Sequence, residues 1–224
     1  MEKIIIFGCG RSAYVAKRYF DSDAKYSVCG FTVEPAYLIA NKFQGLPVVD
    51  FNKLEETFPP NNFKLFIALG FQKMNTVRAK KYLAGKSKGY EFVSYVSSKI
   101  VTHDNLNIGE NCFILENNTI NFDVQIGNNV VIWSSCHIGD LSRIKDHVWI
   151  TSHSTVCGGT NIGEYSFLGA NSTISDHINI GKRTFVGANT LVVKDTKEGS
   201  VHITEGSKDL GIDSCIFTAL LEKS

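Results

Sequence analysis

Aliphatic residues recur at every sixth position through the second half of this 224-residue chain. Every one of the fifteen members of the series is Ile, Val or Leu. Side chains on one side of an α-helix repeat near every 3.6 residues and those on one side of a strand every two, so neither structure explains a period of six. Hexapeptide repeats are typical of a parallel β-helix. The sequence therefore predicts a β-helix with core positions at Ile108, Ile114, Ile120, Ile126, Ile132, Ile138, Ile144, Ile150, Val156, Ile162, Leu168, Ile174, Ile180, Val186 and Val192.

A second column of residues, most of them small, stands two positions before each aliphatic, from Leu106 to Thr190. Residues two apart on a strand point to the same side, so both columns should face the core. Glycine follows the aliphatic in seven hexapeptides, and we predict that it occupies a sharp turn with unusual φ and ψ angles. These glycines are Gly109, Gly127, Gly139, Gly163, Gly169, Gly181 and Gly187.

Three hexapeptides should make one coil of 18 residues, because most members of the 18-residue register from Ile108 to Ile180 are Ile-Gly pairs. Five coils then stack without an insertion in a domain over residues 96–195, which buries one continuous aliphatic core. The ends of such a stack need covers. We expect the preceding domain at one end, and at the other a tail over residues 196–224 with a short helix at Ser214–Glu222.

The first hundred residues follow a different pattern. Residues 3–7 predict a buried strand, Gly8–Ala13 has the form G-x-G-x-x-A, and a helix with an apolar face comes next. A glycine turn between a strand and a helix lets backbone amides at the helix N-terminus face a phosphate. A purely structural glycine turn fits the same pattern, because the motif alone is permissive.

Tyr26–Val33 predicts a second strand, and Glu34 stands at its end, where an acidic residue commonly reaches a sugar hydroxyl or a base edge. A further strand is expected at Lys64–Leu69 and a helix at Gln72–Leu83. These elements make a small Rossmann-like α/β domain over residues 1–95. The domain has room for one mononucleotide-binding half and not for two, which favours a nucleotide or nucleotide-sugar over NAD as the ligand.

Composition places the chain among ordinary globular proteins, with 43% hydrophobic and 20% charged residues. The net charge is +1 and no basic block occurs, which argues against nucleic acid as a partner. The longest apolar run near the N-terminus, Ile4–Phe7, is too short for a signal peptide or a membrane span, so we expect a cytoplasmic protein. None of the six cysteines forms a C-x-x-C pair, and we expect reduced cysteines that fill apolar space.

The two parts together resemble the sialic acid O-acetyltransferase/nucleotide-sugar N-acyltransferase family, whose members join an N-terminal α/β domain to a left-handed β-helix. The resemblance covers nearly the whole chain and is most specific over residues 105–195. It is carried by the stretches WSSCHIG, IKDHVWITSH, IGEYSFLGANSTI and IGKRTFVGANTLVVKD. The left hand comes from the resemblance alone, because physics by itself favours right-handed parallel crossovers.

The resemblance implies a homotrimer that uses acetyl-CoA or another short acyl-CoA as co-substrate. CoA would lie in a groove between adjacent β-helices, and the α/β domain would hold a nucleotide-linked amino sugar. The acceptor-binding positions match Gly8, Gly10, Arg11, Ser12 and Glu34. The CoA-binding positions match Trp149, Gly158, Gly159, Ala170 and Ala188. Small residues suit a pantetheine arm that lies against the backbone.

The chain departs from the family where a catalytic histidine usually precedes an acidic residue or a second histidine. Asp140 and Leu141 stand there instead. Acyl transfer needs a group that accepts the proton of the nucleophile, and histidine suits that task. Three explanations are open. Asp140 is the base, strengthened by burial; a neighbouring His137 or His153 replaces the missing histidine; or an uncharged amine attacks without a strong base and Asp140 only orients it.

Metal chemistry is not expected. His137, His147 and His153 are too irregularly spaced in the 18-residue register to converge on a zinc ion. Four histidines are expected at exposed or turn positions without a catalytic role: His103, His147, His177 and His202.

The amine explanation shifts the predicted reaction toward N-acylation, because an amine is a better nucleophile than a hydroxyl and tolerates a weak base. The sequence therefore predicts an acyl-CoA-dependent N-acyltransferase that acts on a nucleotide-linked amino sugar in bacterial glycan biosynthesis. No activated Ser or Cys is visible, so direct transfer through a tetrahedral intermediate is expected. Two alternatives remain: O-acetylation of a sugar in the same fold, and a catalytically inactive trimer that binds nucleotide-sugars.

Overall fold

The computed structural model describes residues 1–23, 25–103 and 106–221. Its N-terminal part is an α/β domain with five strands: β1 Glu2–Phe7, β2 Tyr26–Val33, β3 Lys42–Phe43, β4 Leu46–Asp50 and β5 Lys64–Ile67. They form one sheet in the order β3-β4-β2-β1-β5. All neighbours are parallel except β3 and β4, which are antiparallel. The three predicted strands are confirmed as β1, β2 and β5, whereas β3 and β4 were not predicted.

Four helices are described: α1 Arg11–Asp21, α2 Leu54–Thr57, α3 Thr76–Ser87 and α4 Ser214–Leu221, with 3-10 turns at Pro35–Tyr37 and Phe51–Lys53. The predicted start of the third helix at Gln72 is wrong. Lys73, Met74 and Asn75 have φ angles of 51°, 52° and 60°, and left-handed residues cannot continue a right-handed helix. None of the described helices is long and apolar enough to cross a membrane.

The remainder of the chain winds into a parallel β-helix of three flat faces. Each face stacks two-residue strands, and in all but the last pair the partners are 18 residues apart. Face A consists of Asn107–Ile108, Gln125–Ile126, Arg143–Ile144, Asn161–Ile162 and Asn179–Ile180. Face B consists of Tyr95–Val96, Phe113–Ile114, Val131–Ile132, Trp149–Ile150, Phe167–Leu168, Phe185–Val186 and Val201–His202. Face C consists of Val101–Thr102, Thr119–Ile120, His137–Ile138, Thr155–Val156, Thr173–Ile174 and Leu191–Val192.

The two predicted core columns are confirmed. From Ile114 to Val192, every aliphatic of the six-residue series is at most 5% exposed. The small residues of the second column are buried beside them, and most of their hydroxyls donate to backbone carbonyls; Thr160 Oγ1, for example, donates to the Ser175 carbonyl at 2.9 Å. These bonds let polar side chains occupy the core without leaving a donor unsatisfied.

Each corner of the β-helix turns at a residue with positive φ, and three columns of such residues define the corners. Corner AB contains Asn111, Asn129, His147, Tyr165 and Arg183. Corner BC contains Asn117, Ser135, His153, Asn171 and Asn189. Corner CA contains Asp123, Leu141, Gly159 and His177.

The predicted conformational role of the glycine after each aliphatic is wrong. None of the seven has positive φ, and the left-handed residue comes two positions later, as Leu141 does after Gly139. At Gly139 and Gly163 the glycine instead accommodates the close approach of the next coil. An ideal Cβ on Gly139 would lie 2.4 Å from the backbone nitrogen of Gly158, and one on Gly163 would lie 2.6 Å from that of Lys182.

The α/β domain packs along the side of the β-helix against face B, and not across its end as expected. Outward side chains of face B, from Tyr95 to Phe167, share one buried cluster with Phe20 of α1 and Phe66 of β5. The Phe20 and Tyr95 rings are 5.4 Å apart, and the Phe66 and Phe113 rings are 5.6 Å apart. The aromatic outward column of face B therefore holds the domain beside several coils at once.

Corner AB is joined to the same domain by hydrogen bonds. The Ile67 amide donates to Asn111 Oδ1 at 2.8 Å, and Asn75 Nδ2 donates to the His147 carbonyl at 2.6 Å. Arg78 of α3 is 2% exposed and donates to the carbonyls of Ile67 and Asn111. Because these donors come from β5 and from the start of α3, the orientation of the domain on the β-helix is fixed by directional bonds as well as by apolar packing.

The far end of the β-helix is closed by the chain that follows the last full coil, and not by the predicted tail helix. Thr184 Oγ1 donates to the Lys197 carbonyl at 3.2 Å, and Val201–His202 extends face B. Helix α4 leaves apolar side chains such as Ile216 exposed. Residue 222, at the end of the predicted helix, lies outside the described residues. The predicted limits at 95/96 and 195/196 stay predictions. The first falls within the strand Tyr95–Val96 of face B, and the strand Val201–His202 of the same face comes after the second.

Candidate functional site

The two glycines of the predicted phosphate turn have different physical roles. Gly8 is buried with a φ of +121°, and an ideal Cβ on it would lie 3.0 Å from the Ala68 carbonyl oxygen, so the fold itself requires glycine there. Gly10 is exposed at the N-cap of α1, and nothing lies within 4 Å of an ideal Cβ on it. The space in front of Gly10 is open, and no side chain caps this 11-residue helix, so a phosphate has access to its first backbone amides.

The other predicted acceptor-binding residues gather around this turn. The Gly8 amide donates to the Thr32 carbonyl at 2.8 Å, which places the turn beside the end of β2 and hence near Glu34. Arg11 is exposed and Ser12 half-buried in the first turn of α1. The Glu34 carboxylate accepts a hydrogen bond from Lys81 of α3. The carboxyl edge of the parallel sheet thus carries this set, as ligand sites in open α/β sheets do.

A narrow crevice separates α1 from face B next to this turn. Ser12, Arg78, Trp133 and Trp149 contribute to its lining, and the two indole rings are 6.4 Å apart. Arg78 has no described partner for its Nε, and burial lowers the pKa of its guanidinium to about 9. Trp149, which the resemblance assigns to CoA, therefore lies beside the predicted acceptor site. It is 6% exposed and packs on Phe71 at 5.8 Å.

The remaining predicted CoA positions lie on the two other corners. Ala170 and Ala188 are exposed at corner BC, one residue before a left-handed asparagine in each case. Gly158 and Gly159 are half-buried at corner CA. Face B, which carries Trp149, borders the corner of Ala170 and Ala188, whereas Gly158 and Gly159 lie at the corner opposite that face.

Asp140 is exposed at corner CA of one chain, whereas the first of the three explanations requires it to be buried. Its carbonyl accepts a hydrogen bond from the Gly159 amide at 2.8 Å. Its Oδ1 lies 2.9 Å from the place where a Cβ on Gly158 would stand, so the carboxylate leans over that glycine. Leu141, the next residue, is 58% exposed.

Neither histidine named for catalysis lies at the corner that holds Asp140. His137 is half-buried on face C, on the strand before Asp140, and His153 is exposed at corner BC. Sequence reasoning missed a third imidazole, that of His177, which stands at corner CA. The 18-residue register contains the signal for it, because His177 follows Gly159 by one coil.

His147, expected at an exposed or turn position, is at a turn but is only 7% exposed. Burial lowers its pKa. Among the described residues, no group of three or more His, Cys, Asp or Glu side chains is placed to hold a metal ion. All six cysteines lie in the described part of the chain and are free, and burial raises the pKa of the core thiol of Cys136 to about 11.

The predicted acceptor site and the Asp140 corner face different sides of the molecule. The α/β domain covers face B and corner AB, whereas corner CA is the corner opposite face B in the triangular cross-section. One copy of the chain therefore does not bring Gly10 and Ser12 together with Asp140 and Gly158.

Residues 105–140 match the family model described as bacterial transferase hexapeptide (six repeats). None of the curated proteins matches the sequence.

Several solved structures share the fold over nearly their whole length. One is a His→Asn variant of perosamine N-acetyltransferase from Caulobacter crescentus in complex with CoA and GDP-perosamine, with a TM-score of 0.82, 23% identity, and coverage of 92% of this chain and 98% of that one. The acetyltransferase domain of PglB from Neisseria gonorrhoeae FA1090 gives 0.80 at 17% identity, with 94% and 100% covered. WeeI from Acinetobacter baumannii AYE gives 0.76 at 18% identity, with 91% and 97% covered.

These matches confirm the predicted resemblance and fold class. The chain has the fold of the hexapeptide-repeat N-acetyltransferases, a Rossmann-like α/β domain joined to a left-handed parallel β-helix.

Proposed function

We propose that this protein is an acyl-CoA-dependent N-acyltransferase that transfers an acetyl or other short acyl group to the amine of a nucleotide-linked amino sugar. The observation that carries the proposal is the shared fold over both domains, 92% of this chain and 98% of a protein solved with CoA and GDP-perosamine. The proposal includes a cytoplasmic location and a role in bacterial glycan biosynthesis.

The α/β domain supplies the acceptor site. The open backbone at Gly10 and the uncapped start of α1 suit the phosphates of a nucleotide-sugar. Arg11 and Ser12 flank the same turn, and Glu34 at the end of β2 suits a sugar or base hydroxyl. From there the crevice beside Ser12 leads along α1 toward Trp133 and Trp149.

The β-helix supplies the CoA site. Gly158 and Gly159 at corner CA, and Ala170 and Ala188 at corner BC, leave backbone uncovered on either side of face C. A pantetheine arm needs such bare backbone, because larger side chains would keep it away from the peptide amides. Acetyl-CoA is the default donor, and the bare stretch at Gly158 also has room for a longer acyl group.

Assembly into a homotrimer completes the site. Corner CA lies opposite the face covered by its own α/β domain, so the acceptor bound to one copy has to meet the corner of another. A cyclic arrangement of three copies places each such corner beside a neighbouring α/β domain with closed symmetry. The exposed side chains of Phe122 and Leu141 at this corner suit such an interface.

The reaction is a direct transfer. The uncharged amine nitrogen attacks the thioester carbonyl carbon, a C–N bond forms and the C–S bond breaks. The CoA thiolate leaves, and the proton released from the nitrogen ends on its sulfur, which gives the free thiol. O-acetylation of a sugar is the second candidate, and it makes a greater demand on the base because a hydroxyl is the weaker nucleophile.

Release of free CoA thiol from acetyl-CoA tests the proposal. The acceptors are UDP-, dTDP- and GDP-linked amino sugars, each beside its hydroxyl counterpart. We expect thiol release with at least one amino sugar and none with its hydroxyl analogue. Release with the hydroxyl compound alone would establish O-acetylation. Binding of a nucleotide-sugar without release from acetyl-CoA or longer acyl-CoAs would show the inactive alternative.

A further inference from the structure

We propose that the His177 imidazole, held beside Asp176, accepts the proton of the acceptor amine and so replaces the histidine that is absent at position 140. This inference rests on the proposed function, and it concerns a residue to which the sequence assigned no role. Its basis is a notch in corner CA that has glycine at its floor, with a carboxylate and an imidazole side by side over it.

The floor of the notch is the pair Gly158 and Gly159. Side chains are missing at two successive corner positions there, while the coil before carries Asp140 and Leu141. Gly159 has a φ of +65° and its amide donates to the Asp140 carbonyl at 2.8 Å. The backbone of the pair is thus fixed in place, and no Cβ covers it from outside.

The two polar groups lean over the notch. Asp140 Oδ1 lies 2.9 Å from the ideal Cβ position of Gly158. His177 Nδ1 lies 2.4 Å from the ideal Cβ position of Gly159, so the ring occupies the volume that a side chain at 159 would fill. The Asp140 carboxylate and the His177 ring therefore lie side by side over the two glycines, where both are exposed to a bound group.

A backbone hydrogen bond ties His177 to this position. Its amide donates to the Gly158 carbonyl at 2.9 Å, which ties it to the notch floor. Its Nε2 lies 4.0 Å from Asp176 Oδ2. Nδ1 is the ring nitrogen that faces the notch. The side chain is 76% exposed, so bound substrate can reach it.

The proton balance closes without any further reactant. As the amine nitrogen forms its bond to the thioester carbon, one N–H proton moves to His177 Nδ1. Collapse of the tetrahedral intermediate breaks the C–S bond, and the imidazolium returns that proton to the CoA thiolate. Asp140 keeps its charge throughout, and it orients the second N–H of the amine.

The two histidines named from the sequence are less well placed for this step. His153 stands at corner BC, with face C between it and the notch. His137 lies on face C itself and pairs in register with Thr119 and Thr155, so its outward side chain has no glycine gap beside it.

The test compares single variants in the thiol-release assay, with an amino-sugar acceptor on which the wild type is active. We expect His177→Ala to lower kcat by about 100-fold or more, the usual contribution of a general base. Imidazole added to the buffer should restore part of that activity. Asp176→Asn should have a smaller effect, and the matched control His202→Asn should not change kcat.

A second variant separates chemistry from structure. An imidazole at position 140 would lean over Gly158, so Asp140→His should restore activity to His177→Ala. In His177→Ala, the pH profile of kcat/KM should lose the part that reflects titration of the imidazole. The double variant should regain such a part. A merely structural role for His177 would show neither restoration.

The outcomes keep the two proposals apart. An inactive wild type with every acceptor would overturn the proposed function. An active wild type whose His177→Ala variant keeps its kcat would overturn the role of His177 alone. A loss that neither imidazole nor Asp140→His restores would make His177 a structural residue of corner CA.

Discussion

Corners AB and CA of the β-helix share one backbone and carry opposite kinds of side chain. Both turn at left-handed residues with φ between 55° and 65°, stacked every 18 residues. At corner AB the column is large, polar and covered by the chain's own α3. At corner CA it is exposed, and a glycine interrupts it. The repeat specifies the backbone turn at both corners. The side chains at each corner depend on what packs against that corner from outside.

The corner AB column works as a directional ladder. The Ile67 amide can only donate, so Asn111 Oδ1 accepts and its Nδ2 donates to Asn129 Oδ1 at 2.6 Å. Asn129 Nδ2 must then donate to His147 Nδ1 at 3.0 Å, which leaves that nitrogen without a proton. The ladder continues through the Tyr165 ring, 4.6 Å from that of His147. Among the described residues, corner CA has no such series, and its Asp140 and His177 are exposed.

The largest loss of stability is expected at two glycines, one at each corner, where the two corners should behave alike. Gly139→Ala at corner CA and Gly163→Ala at corner AB each place a Cβ against the backbone of the next coil. We expect each to lower the free energy of unfolding by about 3 kcal/mol, as overpacking against backbone does. Urea unfolding measures it, with Gly206→Ala, which meets nothing within 4 Å, as the control. A large difference between the two corners would contradict coil stacking as the reason for these glycines.

Removal of one imidazole from each corner should give opposite results. His147→Ala leaves the buried Asn129 amide without a partner and opens a cavity, so we expect a loss of about 2 kcal/mol in stability. His177→Ala removes an exposed side chain and should change stability by less than about 0.5 kcal/mol. Thermal and urea unfolding of both variants measure the contrast. Equal losses would mean that corner CA also supports the fold.

The pH dependence of stability should sharpen the same contrast. Burial lowers the pKa of His147, with smaller opposing effects from Asp146 and Glu164, while Arg78 and Lys182 reinforce the lowering. As the pH falls, the unfolded chain therefore binds the proton before the folded chain does. The contribution of His147 to the free energy of unfolding is complete above about pH 6.5 and is lost as the pH falls through its folded pKa. His147→Gln should flatten the fall in unfolding free energy between about pH 8 and 5. An unchanged slope would exclude His147 as its source.

The smallest effect is expected at the lower end of corner AB. The Arg183 guanidinium lies 4.5 Å from the Tyr165 ring centroid, and its Nη1 donates to Thr76 Oγ1 at 3.2 Å. Arg183→Ala should therefore cost about 1 kcal/mol, the value of a cation–π contact with partial burial. The neighbouring Lys182 pairs with Glu164 at the surface and lies farther from the Tyr165 ring centroid, at 5.7 Å, so Lys182→Ala should have a smaller effect than Arg183→Ala. A Lys182 effect as large as that of Arg183 would contradict the ladder.

Much of the fold follows from periods in the sequence, because a repeat of six and a register of 18 leave few ways to bury the aliphatics. The same periods led to a wrong prediction for the glycines that follow the aliphatics. The spacing between coils, and not the φ angle, constrains those positions. They also could not show that the aromatic column of Phe113 and Trp149 would pack against α1, because that partner lies about a hundred residues away in the chain. The start of α3 was missed for a local reason, the left-handed run before it.

The candidate site was less accessible to sequence reasoning. Gly8 and Gly10 look equivalent in a motif, and only the surroundings of an added Cβ separate a structural glycine from an open one. Asp140 and His177 are 37 positions apart, and only the stacked coils place them around one pair of glycines. A site shared between copies is still harder to predict from the sequence, because its two halves lie on different sides of each chain.

Complementation between two inactive variants tests most directly whether one copy's acceptor site works with another copy's corner. Gly10→Val should block the acceptor site, because its side chain enters the open space at the start of α1, and His177→Ala should disable corner CA. If subunits are unfolded together and reassembled in equal amounts, about one quarter of the sites combine an intact acceptor site with an intact corner. We expect thiol release to recover to about a quarter of the wild-type rate; no recovery in trimers shown to be mixed would contradict a site shared between copies.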